Sequence, residues 1–350
     1  MNMQQHIAEQ VREAAKNRTA LALRGGGSKA FLGEATQGDT LELAGHSGVV
    51  DYDPGELVIT CRAGVPLAET RELLASNGQH LPFDPPAFGA GATIGGTVAC
   101  GLSGPGRPWA GSLRDYLLGV KIVNGRGEVL SFGGQVMKNV AGYDVSRLMA
   151  GSMGTLGVIL ESSFKVLPRP AKELTLAFEC TQQDAIQRIA EWSARPVPLS
   201  AASWSNGRLK LRLSGAATET EKAARSMSPD ECSEDMGYWA DLREHRLNFF
   251  SSDAPLWRLS LPAATPPLQL EGHCLLDWGG AQRWYSGPEP HETIRATVEA
   301  CGGHATLFRG NGEIPRLHPL PKAMRRLQDR IRLAFDPHGL FNPGRMDPAA

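Results

Sequence analysis

Residues 24–29 read Arg24-Gly25-Gly26-Gly27-Ser28-Lys29 and follow directly on the apolar alternation Ala20-Leu21-Ala22-Leu23. A strand that runs into three successive glycines adds little to a core. It does bring bare backbone N–H groups up to a ligand, because glycine accepts positive φ and has no Cβ to hold a ligand off. Successive N–H groups in such a turn form an anion-binding nest. The stretch is not a Walker A loop, since GxxxxGK[ST] is absent. Nor is it the dinucleotide fingerprint that opens a helix, since Ala30-Phe31-Leu32-Gly33 leads into more loop and strand. Taken alone it also admits a glycine-rich hairpin turn, and the rest of the chain decides.

Two further stretches point the same way. Gly91-Ala92-Thr93-Ile94-Gly95-Gly96-Thr97 is a second backbone-baring loop in the same half, with two threonine hydroxyls. Together the two loops can cradle a pyrophosphate from two sides. Lys138-Asn139-Val140-Ala141-Gly142-Tyr143-Asp144 is followed by Gly151-Ser152-Met153-Gly154-Thr155-Leu156-Gly157-Val158-Ile159. Small residues ahead of an apolar strand let a flat ring lie against the backbone, with main-chain groups at Val158 placed to read a base edge.

With 350 residues the chain has room for two domains. Hydrophobic residues make up 41% and charged residues 21%, the composition of a globular protein. The formal net charge of -1 gives no basic excess for non-specific nucleic-acid binding. Cys61, Cys100, Cys180, Cys232, Cys274 and Cys301 form no CxxC pair, which argues against a zinc ribbon or an iron–sulfur cluster held by this chain alone. Met1–Lys16 is polar and has no signal-peptide apolar region. No stretch approaches the ~18 apolar residues of a membrane span. A cytoplasmic protein with reduced thiols is the expectation.

Hydrophobic periodicity predicts an amphipathic helix over residues 3–17 and strands at Ala20–Leu23, Thr40–Leu43, Val49–Tyr52 and Leu57–Arg62. Pro66 opens a helix that Gly78 ends. Leu118–Val123 and Glu128–Phe132 flank Asn124-Gly125-Arg126-Gly127, a hairpin signature. Gly157–Glu161 and Phe164–Leu167 read as two strands. From about residue 171 glycine thins out and tryptophan appears. The pattern there is α+β, an antiparallel sheet with helices on one face. Leu320–Phe335 reads as a basic amphipathic helix, and Phe341-Asn342-Pro343-Gly344-Arg345-Met346 as a turn-rich anchor.

The order RGGGSK, ATIGGTVACG, KNVAGYD…GSMGTLGVI and a final FNPGRM resembles the FAD-binding domain of the vanillyl-alcohol oxidase / p-cresol methylhydroxylase (PCMH) flavoprotein family. Within it, the resemblance runs nearly end to end to flavin-binding subunits of bacterial glycolate-oxidising complexes. Such complexes have two related flavin-binding subunits and an iron–sulfur subunit. The resemblance implies an α+β fold, with a two-subdomain PCMH-type FAD-binding domain over residues 1–170 and an α+β cap domain over 171–319. A C-terminal segment, 320–350, returns to the FAD domain.

By position, the resemblance implies that Gly25, Gly26, Gly27 and Ser28 form the pyrophosphate loop, with Lys29 beside it. It places Thr93, Gly95 and Gly96 in the second loop, near pyrophosphate and flavin. Gly154, Gly157 and Val158 fall near the adenine end, and Asn342 close to the isoalloxazine. Relatives with covalently attached flavin place His where this chain has Ser28, or Cys where it has Gly91, so FAD is expected to be held non-covalently. A signature of the type HxGDGNxH, which related 2-hydroxy-acid dehydrogenases carry, is absent, and no metal is expected.

The implied activity is oxidation of glycolate or a related 2-hydroxy acid, with electrons leaving to an iron–sulfur partner. The implied partners are a second FAD-binding subunit and that iron–sulfur subunit. The location would be cytoplasmic, or peripheral on the inner face of the cytoplasmic membrane through the complex. Removing the hydroxyl proton suits histidine and gripping the carboxylate suits arginine. His304 and Arg309, late in the cap, are the candidates. Two alternatives stay open: an FAD-bearing assembly or electron-relay subunit without substrate chemistry, and a stand-alone flavin reductase fed by NADPH.

Overall fold

The first helix shows how local signals set the chain's course in this computed structural model, which describes residues 2–134, 144–310 and 314–347. Asn2 caps Met3–Asn17: its side chain accepts from Gln5 N, and Gln5 reaches back to the Asn2 backbone. Ile7, Ala8, Val11 and Ala14 fall on one buried face, and Arg18 ends the helix in the left-handed region at φ 54°. The apolar alternation that follows becomes β1 (Leu21–Arg24), which pairs in parallel with β2 (Asp39–Glu42). On its other side β1 meets the C-terminal segment. Leu21 N donates to Leu340 O (2.7 Å) and Asn342 N to Leu21 O (2.9 Å). Phe341 lies in the same small core as Ile7, Val11 and Leu21.

The chain divides into two units. The first comprises residues 1–102, 112–168 and 319–350. Its main sheet takes the order β3-β4-β8-β6-β7, all neighbours antiparallel. The strands are β3 (Val49–Asp53), β4 (Val58–Arg62), β6 (Leu117–Val123), β7 (Val129–Gly133) and β8 (Val158–Lys165). β5 (Gln79–His80) pairs with β9 (Leu167–Pro168). The hairpin β6–β7 turns where the sequence predicts it. Asn124 Oδ1 accepts from the backbone N–H groups of Arg126 and Glu128, each at 3.0 Å. One expectation changes: the two strands expected over 157–167 are a single β8, because Ser162 and Ser163 stay inside it. The Ser163 hydroxyl pairs with Thr60 Oγ1 at 2.8 Å across the β4–β8 ladder. Helices Leu67–Ser76 and Ile94–Cys100 pack Leu67, Leu74, Ile94 and Val98 onto this sheet's core.

The second unit comprises residues 103–111 and 169–318. Its eight strands run β13-β10-β12-β11-β15-β16-β14-β17, again all antiparallel. They are β10 (Lys172–Glu179), β11 (Leu199–Ser205), β12 (Arg208–Gly215), β13 (Glu231–Ser233), β14 (Leu256–Ser260), β15 (His273–Asp277), β16 (Gln282–Ser286) and β17 (His304–Arg309). Helix Gln182–Ser193 buries Ala185, Ile189 and Trp192 in one core, and helix His291–Ala300 buries Ile294 and Val298 in another. The contiguous boundary drawn from sequence places residues 103–111 in the first segment. Here they group with the second unit, because Trp278 Nε1 donates to Gly104 O (2.9 Å) and Trp109 packs against Gly279.

Candidate functional site

The Gly25–Ser28 turn leaves β1 and meets the second small-residue loop backbone to backbone. A Cβ on Gly26 would stand 1.3 Å from the Gly91 carbonyl oxygen, and one on Gly25 would stand 2.6 Å from Thr93 Oγ1. Only glycine permits this approach. The N–H groups of Gly25, Gly26, Gly27 and Ser28 have no protein acceptor among the described residues. Thr93 caps helix Ile94–Cys100, its Oγ1 accepting from Gly96 N at 3.3 Å. Gly95 N donates to Ala63 O (2.8 Å), and a Cβ on Gly95 would come within 2.6 Å of the Ala63 methyl.

These loops wall a cleft of about 280 Å³. Gly25, Gly26, Gly27, Ser28, Lys29, Thr93, Gly95, Gly96, Gly154, Gly157 and Asn342 all line it. Val158 does not: it is fully buried, paired with Val123, and the cleft is lined instead by Gly157 and Ile159. Strand alternation explains the difference, since neighbouring side chains point to opposite faces. Residues 138–143 of the third motif lie outside the described residues.

Asn342 acts as a strut. Its Oδ1 accepts from Leu23 N (2.8 Å) and its Nδ2 donates to Met153 O (2.7 Å), so both ends of the amide are engaged. Lys29 is buried, with Nζ 3.2 Å from Ala87 O. Three cationic side chains, Arg24, Lys29 and Arg345, border the cleft, and among the described residues no Asp or Glu lines it, although Glu42 lies 3.8 Å from Arg24. Arg345 had no role in the sequence reading. Its guanidinium donates to Ala30 O (3.0 Å), and the signal for it was its place in the FNPGRM run. Cys100 also lines the cleft. Burial pushes its thiol up, against the opposing pull of Lys29 and Arg345.

His304 and Arg309 stand at opposite ends of β17, opposite Ser260 and Leu256 respectively. Five strand residues span ~16 Å, too far for a base and a clamp on one two-carbon acid. The structure does not bring them together. Burial and the charges of Arg258 and His318 lower the His304 pKa, and burial lowers that of Arg309.

The fold and the cleft's geometry agree with what the chain resembles. It is 46% identical over 343 residues to glycolate oxidase subunit GlcE of Escherichia coli (strain K12), covering 98% of this chain and 97% of that protein. This chain belongs to the GlcE family. A family model described as an FAD binding domain matches residues 2–133. Glycolate oxidase subunit GlcD of Bacillus subtilis (strain 168) is 32% identical over 163 residues, 46% of this chain and 34% of that protein. Among solved structures, an alkyldihydroxyacetonephosphate synthase superposes with a TM-score of 0.66 at 15% identity, over 96% of this chain and 74% of the synthase. That likeness concerns the fold alone.

The GlcE-family chain is thus an α+β, PCMH-type flavoprotein fold with an FAD-binding domain. The cleft fits such a cofactor on its own terms. Free main-chain donors, a Cβ-less contact between two loops and three bordering cations suit a diphosphate. Among the described residues, no helix is long and apolar enough to cross a membrane.

Proposed function

We propose that this chain is the FAD-bearing subunit of a glycolate-oxidising complex, acting on glycolate and related 2-hydroxy acids. The observation that carries the reading is the cleft in which four consecutive free amides face a second glycine loop, in a chain 46% identical to GlcE over its length. Gly25–Ser28, with Lys29 and Arg345 behind them, would hold the diphosphate. Thr93, Gly95 and Gly96 would bound the flavin end, and Asn342 would fix the wall between Leu23 and Met153. FAD, when bound, supplies the acceptor for two electrons from the hydroxy acid. Neither Ser28 nor Gly91 offers a histidine or cysteine for attachment, which supports non-covalent binding.

The name of the relative, a subunit, supports a heteromeric complex with a second flavoprotein. An iron–sulfur partner is proposed as the electron outlet, because the chain's cysteines form no cluster motif. A second reading, an electron-relay or assembly subunit, is favoured by the separation of His304 from Arg309.

One experiment separates the two readings. The purified full chain is mixed anaerobically with glycolate and its flavin absorbance followed. Bleaching supports substrate oxidation by this chain. A flavin that stays oxidised alone, yet bleaches once the partner subunits are added, supports the relay reading. A chain that takes up no flavin overturns both.

A further inference from the structure

One sheet face of the second unit sets an arginine among buried aromatic side chains. On β14, Trp257 and Leu259 enter the hydrophobic cluster under helix His291–Ala300, so Arg258 points to the other face. There it lies opposite Trp284 on β16 and Thr306 on β17. Arg258 is half-buried, and its Nε donates to Gln282 Oε1 at 2.6 Å. Gln282 passes the contact on: its Nε2 donates to Asp277 Oδ2 at 2.9 Å. The amide therefore stands between guanidinium and carboxylate. Among the described residues no carboxylate comes within ion-pair reach of Arg258, and its two Nη groups have no protein acceptor.

The guanidinium also lies over an aromatic ring. Its carbon lies 5.1 Å from the centre of the Trp278 ring, and that of Arg107 lies 4.4 Å from the same ring. Trp278 is anchored by its own bond to Gly104 O. Trp284, the cross-strand neighbour of Arg258, is 4% exposed, and its indole N–H acts on the buried Asp277 carboxylate. His245 packs against Trp284 at 4.4 Å and on Phe250 at 4.0 Å. Burial and the charges of Arg309 and Arg258 keep it neutral.

From this geometry we propose that Arg258 is the anchor of a small-carboxylate site on the second unit, with its Nη pair forming the fork. A planar guanidinium held by a neighbouring indole and by an amide at Nε presents the two parallel N–H bonds that a carboxylate accepts. Arg107, over the same Trp278 ring, adds positive potential, and Gln282 bonds to both Arg258 and Asp277, the one acid whose charge acts on Arg258. Arg258, and not Arg309, is therefore the carboxylate-binding arginine of this unit. The inference goes beyond the flavin reading and does not depend on it, since every residue it uses lies outside the glycine-walled cleft.

The test is calorimetric titration of the full-length chain with glycolate, acetate and inorganic phosphate. Glycolate and acetate should bind, and phosphate at least tenfold more weakly. Arg258→Gln should weaken glycolate binding at least tenfold. Arg258→Lys keeps the charge but not the fork and should still lose several-fold. Melting temperatures report whether the variants fold, and if Arg258→Gln does not, Arg258→Lys decides. No heat with any carboxylate, unchanged affinity in a folded Arg258 variant, or phosphate binding as tightly as glycolate would each overturn the proposal. Carboxylate binding without flavin bleaching would sink substrate oxidation by this chain and leave the site standing. Bleaching with unaltered binding in Arg258→Lys would do the reverse.

Discussion

The Gly91 carbonyl oxygen occupies the space where a side chain on Gly26 would begin, 1.3 Å from the ideal Cβ position. Two loops far apart in sequence thereby meet main chain to main chain. Gly26→Ala has to push them apart. Overpacking of this kind costs about 1–3 kcal/mol, and here it also widens the gap between the two walls of the cleft. The expected outcome is a lower melting temperature and a purified protein whose flavin-to-protein ratio falls well below that of wild type. Gly134→Ala is the control, since a Cβ there meets nothing within 4 Å. If Gly26→Ala retains full flavin, the contact does not shape the site.

Why was this contact half legible? Glycine runs announce close approach of backbone, and the two loops were recognisable as loops of one kind. Their meeting was not, because nothing local in Gly91 names Gly26 as its neighbour. The same limit applies elsewhere. Asn342 could be placed near the cleft from its motif, but its partners, Leu23 N and Met153 O, come from a β1 edge and a loop that sequence does not join. His304 and Arg309 are close in sequence and separated by strand geometry, whereas Arg258 and Trp284 are brought opposite by register. Elements with strong periodicity or turn chemistry, such as helix Met3–Asn17 and the Asn124 hairpin, were readable. β11, β16 and β17 were not, because serine, arginine and histidine break the apolar alternation that marks a strand.

Asn342 holds β1 to the 153 loop with both ends of its amide, while its own backbone sits at φ 43°. Asn342→Gly relieves the backbone but removes both bonds. Asn342→Asp keeps the acceptor for Leu23 N and places a second oxygen against Met153 O. Each buried bond is worth about 0.5–1.5 kcal/mol net. Urea unfolding should show Asn342→Gly less stable by about 1–3 kcal/mol, with Asn342→Asp also destabilised. Equal midpoints for all three proteins would contradict the strut.

Thr93 ties the second loop to the helix it opens. Its Oγ1 accepts from Gly96 N, and its carbonyl accepts from the Thr97 hydroxyl at 2.8 Å. Thr93→Val is nearly isosteric and removes only the acceptor. Loss of an N-cap costs about 1 kcal/mol, and Thr93→Ser should recover most of it. Thermal melts of the three proteins give the comparison. A Thr93→Val variant as stable as wild type would show that the hydroxyl cap contributes nothing.

Asp277 makes the stability of the second unit depend on pH in an unusual direction for a carboxylate. Burial pushes its pKa from the ordinary 3.8 up to about 6, outweighing the bonds from Trp278 N, Gln282 and Trp284 and the charge of Arg258, all of which favour the charged form. The folded protein therefore holds a proton there, between about pH 4 and 6, that the unfolded chain has released. Proton linkage makes stability fall as pH rises through that window. A gap of roughly two pKa units corresponds to ~3 kcal/mol. Asp277→Asn has no such proton to lose. Measured against wild type by denaturant unfolding, its relative stability should rise by ~3 kcal/mol between pH 4 and pH 7, whatever the offset at pH 4. Groups that titrate identically in both proteins cancel from the comparison. A difference that stays flat, or falls, across this range would mean that the carboxylate is already ionised in the folded state at pH 4, and that Arg258 reaches it more directly than through the Gln282 amide.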